Sequence, residues 1–107
     1  MVLGTATSKN GVQIRLTDER WLHITTSHKE IEPDDVLAIL DVIGKPDIIL
    51  RGDTGELLAV KKKPRKKIWI VVAYKEYIAE KDGFVLTAYI TTANRWLFQR
   101  KVIWNKD

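Results

Sequence analysis

The chain has 107 residues and a mass of 12.3 kDa, a size that fits one domain better than two. It is 45% hydrophobic and 30% charged, which argues against a disordered chain. The longest apolar run has about seven residues, too short for a membrane span, and the N-terminal residues lack the pattern of a signal peptide. The absence of cysteine excludes disulfides, thiolate nucleophiles and thiolate zinc sites, and it suits a reducing compartment such as the cytoplasm.

Charge is distributed unevenly along the chain. Residues 1–60 carry six basic and ten acidic side chains, whereas residues 61–107 carry twelve basic and four acidic ones. A dense basic run accounts for much of this difference, and a patch of this kind can bind a polyanion. The alternative is a solvated loop that discourages strand pairing. The basic run consists of Lys61, Lys62, Lys63, Arg65, Lys66 and Lys67.

The first predicted elements are a strand and a helix. Residues 1–10 are small and polar and are expected to form a flexible N-terminal tail, which leaves residues 11–107 as a single domain. Apolar and polar residues alternate over residues 12–16, which predicts a short strand. Thr17 then has the features of a helix N-cap, because two acidic residues follow it in the first turn. The helix is expected to run to about Ser27.

A second helix is predicted to begin near Pro33 and to end at Gly44, because Pro46 prevents its continuation. Its apolar residues recur with helical spacing and predict a stripe that faces the core. The stripe consists of Val36, Leu37, Leu40 and Ile43.

After Pro46 the pattern changes from helical spacing to alternation. Four strands are predicted, separated by turns, over residues 47–51, 56–62, 67–75 and 84–92. Residues 93–99 are expected to form a turn or a short helix, and residues 102–104 a last short strand. The order of elements predicts an α+β fold with two N-terminal helices packed on a four-stranded, or slightly larger, antiparallel meander sheet.

The strand over residues 84–92 has two different faces. The apolar face is expected to pack on the helices, and it consists of Phe84, Leu86, Ala88 and Ile90. The opposite face bears several hydroxyl groups and is expected to be partly wet. It consists of Val85, Thr87, Tyr89 and Thr91.

Few residues in the chain are typical of catalysis. The two histidines, His23 and His28, are five residues apart, about 140° around an ideal helix, so they cannot share one site unless the helix ends between them. Paired metal ligands on a helix need a spacing of four, so no metal site is expected. Arg51 lies at a strand end beside a glycine turn, where a guanidinium can bind a phosphate through two hydrogen bonds. An ordinary surface arginine is the alternative.

Four groups of residues resemble a known family of small nuclease domains, the barnase–EndoU–colicin E5/D–RelE-like fold, especially its phage-associated branches of toxins. The similarity spans roughly residues 12–104. It lies in residues 14–24 with His28 and Glu30, in residues 45–49, in residues 83–89, and in residues 102–104. In place of the His-Pro-Glu sequence of the relatives, this chain has His28, Lys29 and Glu30.

The resemblance implies metal-independent cleavage of RNA without a cofactor, often by a toxin that an antitoxin protein controls. The implied site combines His23 from the first helix with Arg51 from an early strand, and Thr87 and Tyr89 from the late strand complete it. His28 is an alternative or a helper to His23. The competing interpretations are a non-catalytic nucleic-acid-binding domain and a small protein-interaction module.

Overall fold

One mixed β-sheet with helices on both faces makes up the fold. The computed structural model describes residues 1–65, 67–92 and 94–106. The elements are β1 (Val2–Thr7), β2 (Gln13–Thr17), α1 (Asp18–Ser27), α2 (Val36–Gly44), β3 (Ile48–Arg51), β4 (Leu57–Lys62), β5 (Trp69–Tyr77), β6 (Asp82–Thr91), α3 (Asn94–Leu97) and β7 (Val102–Asn105). No helix in the described ranges has the length and apolar character needed to cross a membrane.

The sheet is larger than the predicted meander. Its seven strands lie in the order β1-β2-β6-β5-β4-β3-β7. Strands β3 to β6 form the expected antiparallel meander, but β2 pairs with β6 in parallel. The α+β class is therefore confirmed, whereas the four-stranded, fully antiparallel sheet is corrected to a seven-stranded mixed sheet.

The N-terminal segment differs from the flexible tail predicted for residues 1–10. Its residues form β1, which pairs antiparallel with β2 along most of its length. The chain turns between the two strands at Ser8, whose hydroxyl accepts a hydrogen bond from Val12 N at 3.1 Å, and at Gly11, which has a φ of 79°. The two threonines of β1 are compatible with a strand, and pairing with β2 orders the segment that its small and polar composition had suggested would be a tail.

Helix α1 matches the sequence prediction closely. The Thr17 side chain accepts a hydrogen bond from Arg20 N at 3.2 Å, which confirms the N-cap. The last turn closes where His28 N donates to Ile24 O at 2.8 Å. The helix therefore ends at Ser27 and leaves His28 just beyond its C-terminal end.

Helix α2 begins later than predicted, and this changes the face it buries. Residues 33–35 form a turn, and the helix starts at Val36. Leu40 and Ile43 are buried as expected, but Leu37 is 79% exposed. Ile39 and Val42 take up the remaining core positions.

An irregularity in β6 changes the predicted division of its faces. The register between β5 and β6 shifts so that Ala73 opposes Thr87 and Tyr74 opposes Val85, which leaves Leu86 as an extra residue. One extra residue moves the side chains that follow it to the other face. Val85 therefore packs with α1 and α2, and Leu86 packs on the opposite face.

Two apolar clusters cover the two faces of the sheet. The larger lies under α1 and α2. The smaller lies on the opposite face, where Leu97 of α3 is fully buried against Leu50, Leu58 and Val71. This opposite face, which we call the α3 face, also carries Tyr89 of β6.

Candidate functional site

The candidate site begins where α1 ends beside β6. The parallel pairing of β2 with β6 stops at Arg15 and Phe84, after which α1 lies along the rest of β6. His28, just past the end of α1, thereby reaches the α3 face. Its ring centroid lies 5.9 Å from that of Tyr89, with a 36° angle between the ring planes.

Glu30 fixes the segment that carries His28 to the sheet. Its carboxylate accepts a hydrogen bond from the backbone N–H of Ile90 in β6, at 3.4 Å. The same carboxylate oxygen lies 3.8 Å from His28 Nδ1. The Glu30 side chain therefore links the helix end to the strand that carries Tyr89.

Tyr89 is held in its neutral form by its surroundings. Burial raises the pKa of its hydroxyl, the positive charge of Arg100 opposes this shift, and the carboxylates of Glu56 and Asp53 reinforce it. The phenol is therefore protonated at neutral pH and can donate a hydrogen bond to a ligand. Thr87 lies two residues earlier on the same face of the strand, opposite Ala73.

Arg100 supplies positive charge to this face. Its guanidinium forms two hydrogen bonds with the Asp53 carboxylate, at 2.7 Å from Nη1 and 3.2 Å from Nη2. It also lies 5.4 Å from the ring centroid of Trp96. The Arg100 side chain is 21% exposed and that of Asp53 is 80% exposed, so a ligand can displace Asp53 more easily than it can displace Arg100.

The turn that carries Asp53 is held by hydrogen bonds at its base. The Glu56 carboxylate accepts hydrogen bonds from the backbone N and the hydroxyl of Thr54, at 2.7 and 3.0 Å. Lys75 Nζ donates to the carbonyl oxygen of Thr54 at 2.9 Å. The pKa of Glu56 is lowered, mainly by the hydrogen bond from the Thr54 backbone, so its carboxylate is charged beside Tyr89 and Arg100.

The structure places His23 away from this site. It lies on the exposed side of α1, beside Glu19 and Arg20 of the same helix and Thr17 at its start. The sequence spacing had indicated that His23 and His28 point in different directions unless the helix ends between them. It ends at Ser27, and only His28 is brought to Tyr89.

Arg51 also lies elsewhere. It opposes Leu57, which packs on the side of α1 and α2, so its side chain leaves the sheet on the face opposite to Tyr89. Strands β4 and β5 separate β3 from β6, a lateral distance of about 14 Å. Arg51 lines an open cavity of about 570 Å³ together with Asn10 and Glu76, and with Asp53 and Glu56 of the turn described above.

Sequence reasoning did not identify Arg100 as a functional residue. Its place beside Tyr89 depends on the path of the chain from α3 to β7, where Lys101 O accepts a hydrogen bond from Arg51 N at 2.9 Å. No local sequence pattern signals that path. The only indication was the excess of basic residues in the second half of the chain.

The basic run is divided by the fold. Lys61 lies within β4 and forms an ion pair with Asp41 at 2.9 Å, so its charge is already compensated. The next residue, Lys62, ends the strand and is exposed, and Lys63, Arg65 and Lys67 belong to the turn before β5. Lys66 lies outside the described residues. The cations available to a ligand are thus those at the turn.

Among residues 1–65, 67–92 and 94–106, no three histidine, aspartate or glutamate side chains come together in a way that could hold a metal ion.

Comparison of the chain with protein-family models, with curated protein sequences and with solved structures gives no match.

Proposed function

We propose that the protein is a small metal-independent endoribonuclease whose site lies on the α3 face. The observation that carries this proposal is the contact between the rings of His28 and Tyr89, with the charge of Arg100 acting on the Tyr89 hydroxyl. Cleavage of RNA through its own 2′-hydroxyl needs a proton acceptor, hydrogen-bond donors and a cation at the phosphate. In this proposal His28 accepts the proton, the Tyr89 hydroxyl donates a hydrogen bond and Arg100 supplies the cation.

In the proposed reaction, the imidazole of His28 accepts the proton of the 2′-hydroxyl. The 2′-oxygen forms a bond to phosphorus as the bond to the 5′-oxygen breaks. The 5′-oxygen takes a proton from water, and the hydroxide that remains takes the proton held by His28, which restores the neutral imidazole. The products are a 2′,3′-cyclic phosphate and a free 5′-hydroxyl. Glu30, 3.8 Å from His28 Nδ1, stabilises the imidazolium that forms.

Tyr89 and Arg100 bind the phosphate in this scheme. The neutral phenol donates a hydrogen bond to a non-bridging oxygen, with the Thr87 hydroxyl as a second donor. The Arg100 guanidinium exchanges its two hydrogen bonds with Asp53 for two with the phosphate, which has a similar planar pair of acceptors. The basic turn at Lys62, Lys63 and Arg65 then contacts more distant phosphates of the strand.

The test uses purified protein with a mixed-sequence RNA in the presence of EDTA, followed by analysis of the RNA ends. We expect cleavage that leaves cyclic phosphates. His28→Ala should lower the rate by about 10²- to 10⁴-fold, because a proton-transfer group contributes about that much. The matched control is His23→Ala, which removes the other histidine from the exposed side of α1 and should leave the rate unchanged.

Other outcomes point to other functions. Binding of RNA without cleavage of any RNA type favours a non-catalytic nucleic-acid-binding domain, the second interpretation from the sequence. Cleavage that needs an added divalent metal, or that depends on His23 and not on His28, contradicts the proposed site. The family resemblance implies that an antitoxin protein controls the activity. That control can be tested only once the wild-type chain is shown to cleave RNA.

A further inference from the structure

A cavity of about 570 Å³ opens at one end of the sheet, between the β1–β2 turn, the β3–β4 turn and the end of β5. Its volume lies within the range of about 300–1,000 Å³ that is usual for small-molecule sites. Arg51 and Leu57 enter it from the sheet face that carries α1 and α2, whereas the candidate site lies on the α3 face. The β3–β4 turn borders both places. The cavity is therefore a second place where a ligand can bind.

Arg51 brings a positive charge without a partner to this cavity. The residue is exposed, and among the described residues its guanidinium forms no hydrogen bond or ion pair. The carboxylates that follow it in the chain are already engaged, since Asp53 accepts from Arg100 and Glu56 accepts from Thr54. An unpaired guanidinium offers a planar pair of donors, which suits the carboxylate of a ligand.

Glu76 brings a negative charge whose hydrogen-bond partners are neutral. One of its carboxylate oxygens accepts a hydrogen bond from the Ser8 hydroxyl, and the other accepts from Asn10 Nδ2 at 2.7 Å. Ser8 is buried, and its hydroxyl oxygen also accepts from Val12 N, so the β1–β2 turn fixes the position of the carboxylate. No cation in the described part of the chain pairs with Glu76. A carboxylate has about four acceptor positions, so Glu76 can also accept from the ammonium of a ligand.

The strand register sets the distance between these two charges. Arg51 opposes Leu57 of β4, and Leu57 opposes Tyr74 of β5. Glu76 lies two residues beyond Tyr74 and therefore on the same face of the sheet. With strands about 4.8 Å apart and a rise of about 3.3 Å per residue, the Cα atoms of Arg51 and Glu76 lie about 12 Å apart. Because both side chains line one cavity, a short ligand that carries both charges can contact both of them.

The charges of the cavity determine which class of ligand fits. Three carboxylates line it, those of Asp53, Glu56 and Glu76, and they repel a simple anion such as phosphate. A simple cation fits Glu76, but Arg51 repels it and stays without a partner. An α-amino acid carries a carboxylate and an ammonium on one carbon atom, so it satisfies both charges and adds no net charge of its own.

The apolar wall of the cavity indicates what kind of side chain the ligand has. Ile78 and Ile103 are 61% and 40% exposed, and they line the cavity together with Leu57. An apolar group that covers them removes their surface from water. We propose that this cavity binds a free α-amino acid with an apolar side chain, its carboxylate on Arg51 and its ammonium on Glu76.

Calorimetric titration of the whole chain with L-leucine, L-valine and L-phenylalanine tests the proposal. We expect at least one of them to bind with a dissociation constant of about 10 μM to 1 mM, as suits a small ligand in an open site. Two analogues of the best ligand are then compared with it, the amine that lacks the carboxylate and the carboxylic acid that lacks the amino group. Each should bind at least about tenfold more weakly, because each leaves one charge of the cavity without a partner.

Two variants assign the two contacts. Arg51→Gln should weaken binding of the amino acid at least about tenfold and remove its advantage over the amine. Glu76→Gln should remove its advantage over the carboxylic acid. Arg51 is exposed, so Arg51→Gln should fold normally. The matched control is Arg95→Gln, which alters an exposed arginine of α3 and should bind like the wild type.

Three results overturn the proposal. The first is that none of the three amino acids binds at concentrations up to about 10 mM. The second is that the amine or the carboxylic acid binds as tightly as the amino acid. The third is that Arg51→Gln binds as tightly as Arg95→Gln. The titration does not measure cleavage of RNA, so its outcome is independent of the proposed function.

Discussion

Gly83 holds together the part of the sheet that positions the candidate site. It pairs with Ile14 of β2 in the parallel ladder and with Glu76 of β5 in the antiparallel one. A Cβ atom at this position would lie 2.5 Å from the backbone oxygen of Lys75 and 2.6 Å from Ile14 Cδ1. The backbone oxygen cannot move without a shift of β5, so Gly83→Ala forces the strands apart.

We expect Gly83→Ala to lower the free energy of unfolding by about 1–3 kcal/mol, the usual cost of overpacking a close-packed interior. For a domain of this size the melting temperature should fall by about 4–8 °C for each kcal/mol. Thermal unfolding followed by circular dichroism measures the change. Amide hydrogen exchange of β2 should accelerate more than that of β4, because β4 does not touch the substituted residue.

Gly4→Ala is the matched control for this variant. Gly4 also lies in a strand, but a Cβ atom there would meet Leu40 Cδ1 at 2.7 Å, the end of a flexible side chain that can rotate away. Its cost should stay below about 1 kcal/mol, partly because alanine restricts the unfolded chain. If Gly83→Ala is as stable as wild type, or if Gly4→Ala is the more harmful change, the close approach of the strands at Gly83 is not the constraint described here.

Two further predictions concern stability. Leu40 is 6% exposed in the core beneath α2, so Leu40→Ala should cost about 2–5 kcal/mol in urea denaturation; Leu22→Ala, at an exposed position, should change stability by less than about 0.5 kcal/mol. The hydrogen bond from Arg100, with its charge, lowers the pKa of Asp53 below the ordinary value of 3.8. Its stabilising contribution is therefore full above that pH and is lost as the pH falls through the lowered pKa. The difference in melting temperature between wild type and Asp53→Asn should shrink in that acidic range, and a difference that does not vary with pH would contradict the pairing.

Local signals predicted most of the helices and strands. The N-cap at Thr17 and the end of α1 at Ser27 depend on residues close together in sequence, and both match the structure. The meander from β3 to β6 likewise follows from alternating residues separated by turns. Elements of this kind form where the chain's own hydrogen-bonding and steric preferences agree with the tertiary fold.

The features that depend on distant contacts were not predicted. β1 is stable as a strand because β2 lies beside it, and β2 reaches that position only because it pairs with β6. The alternating sequence pattern around Leu86 predicts one continuous strand and gives no sign of the extra residue. Leu37 satisfies the helical spacing of a core residue, yet the placement of α2 at the edge of the sheet leaves it exposed.

The candidate site combines both kinds of feature. Thr87 and Tyr89 share a face because they are two residues apart in a strand, and that follows from the sequence. Which histidine lies beside them depends on where α1 ends. Which cation acts on them depends on where the chain crosses the sheet after α3. Sequence spacing could therefore show that His23 and His28 occupy different positions, but not which of them meets Tyr89.

The pairing of Arg100 with Asp53 determines how the site responds to an anionic ligand. The net charge of +4 favours the binding of a polyanion, yet the Arg100 guanidinium already has a carboxylate partner. A phosphate that enters has to replace both hydrogen bonds, so weak or singly contacting anions gain little there. The basic turn, with Lys62 and Arg65 exposed, carries no such penalty. In the proposed function, the turn therefore provides long-range attraction, and Arg100 and Tyr89 provide discrimination between ligands.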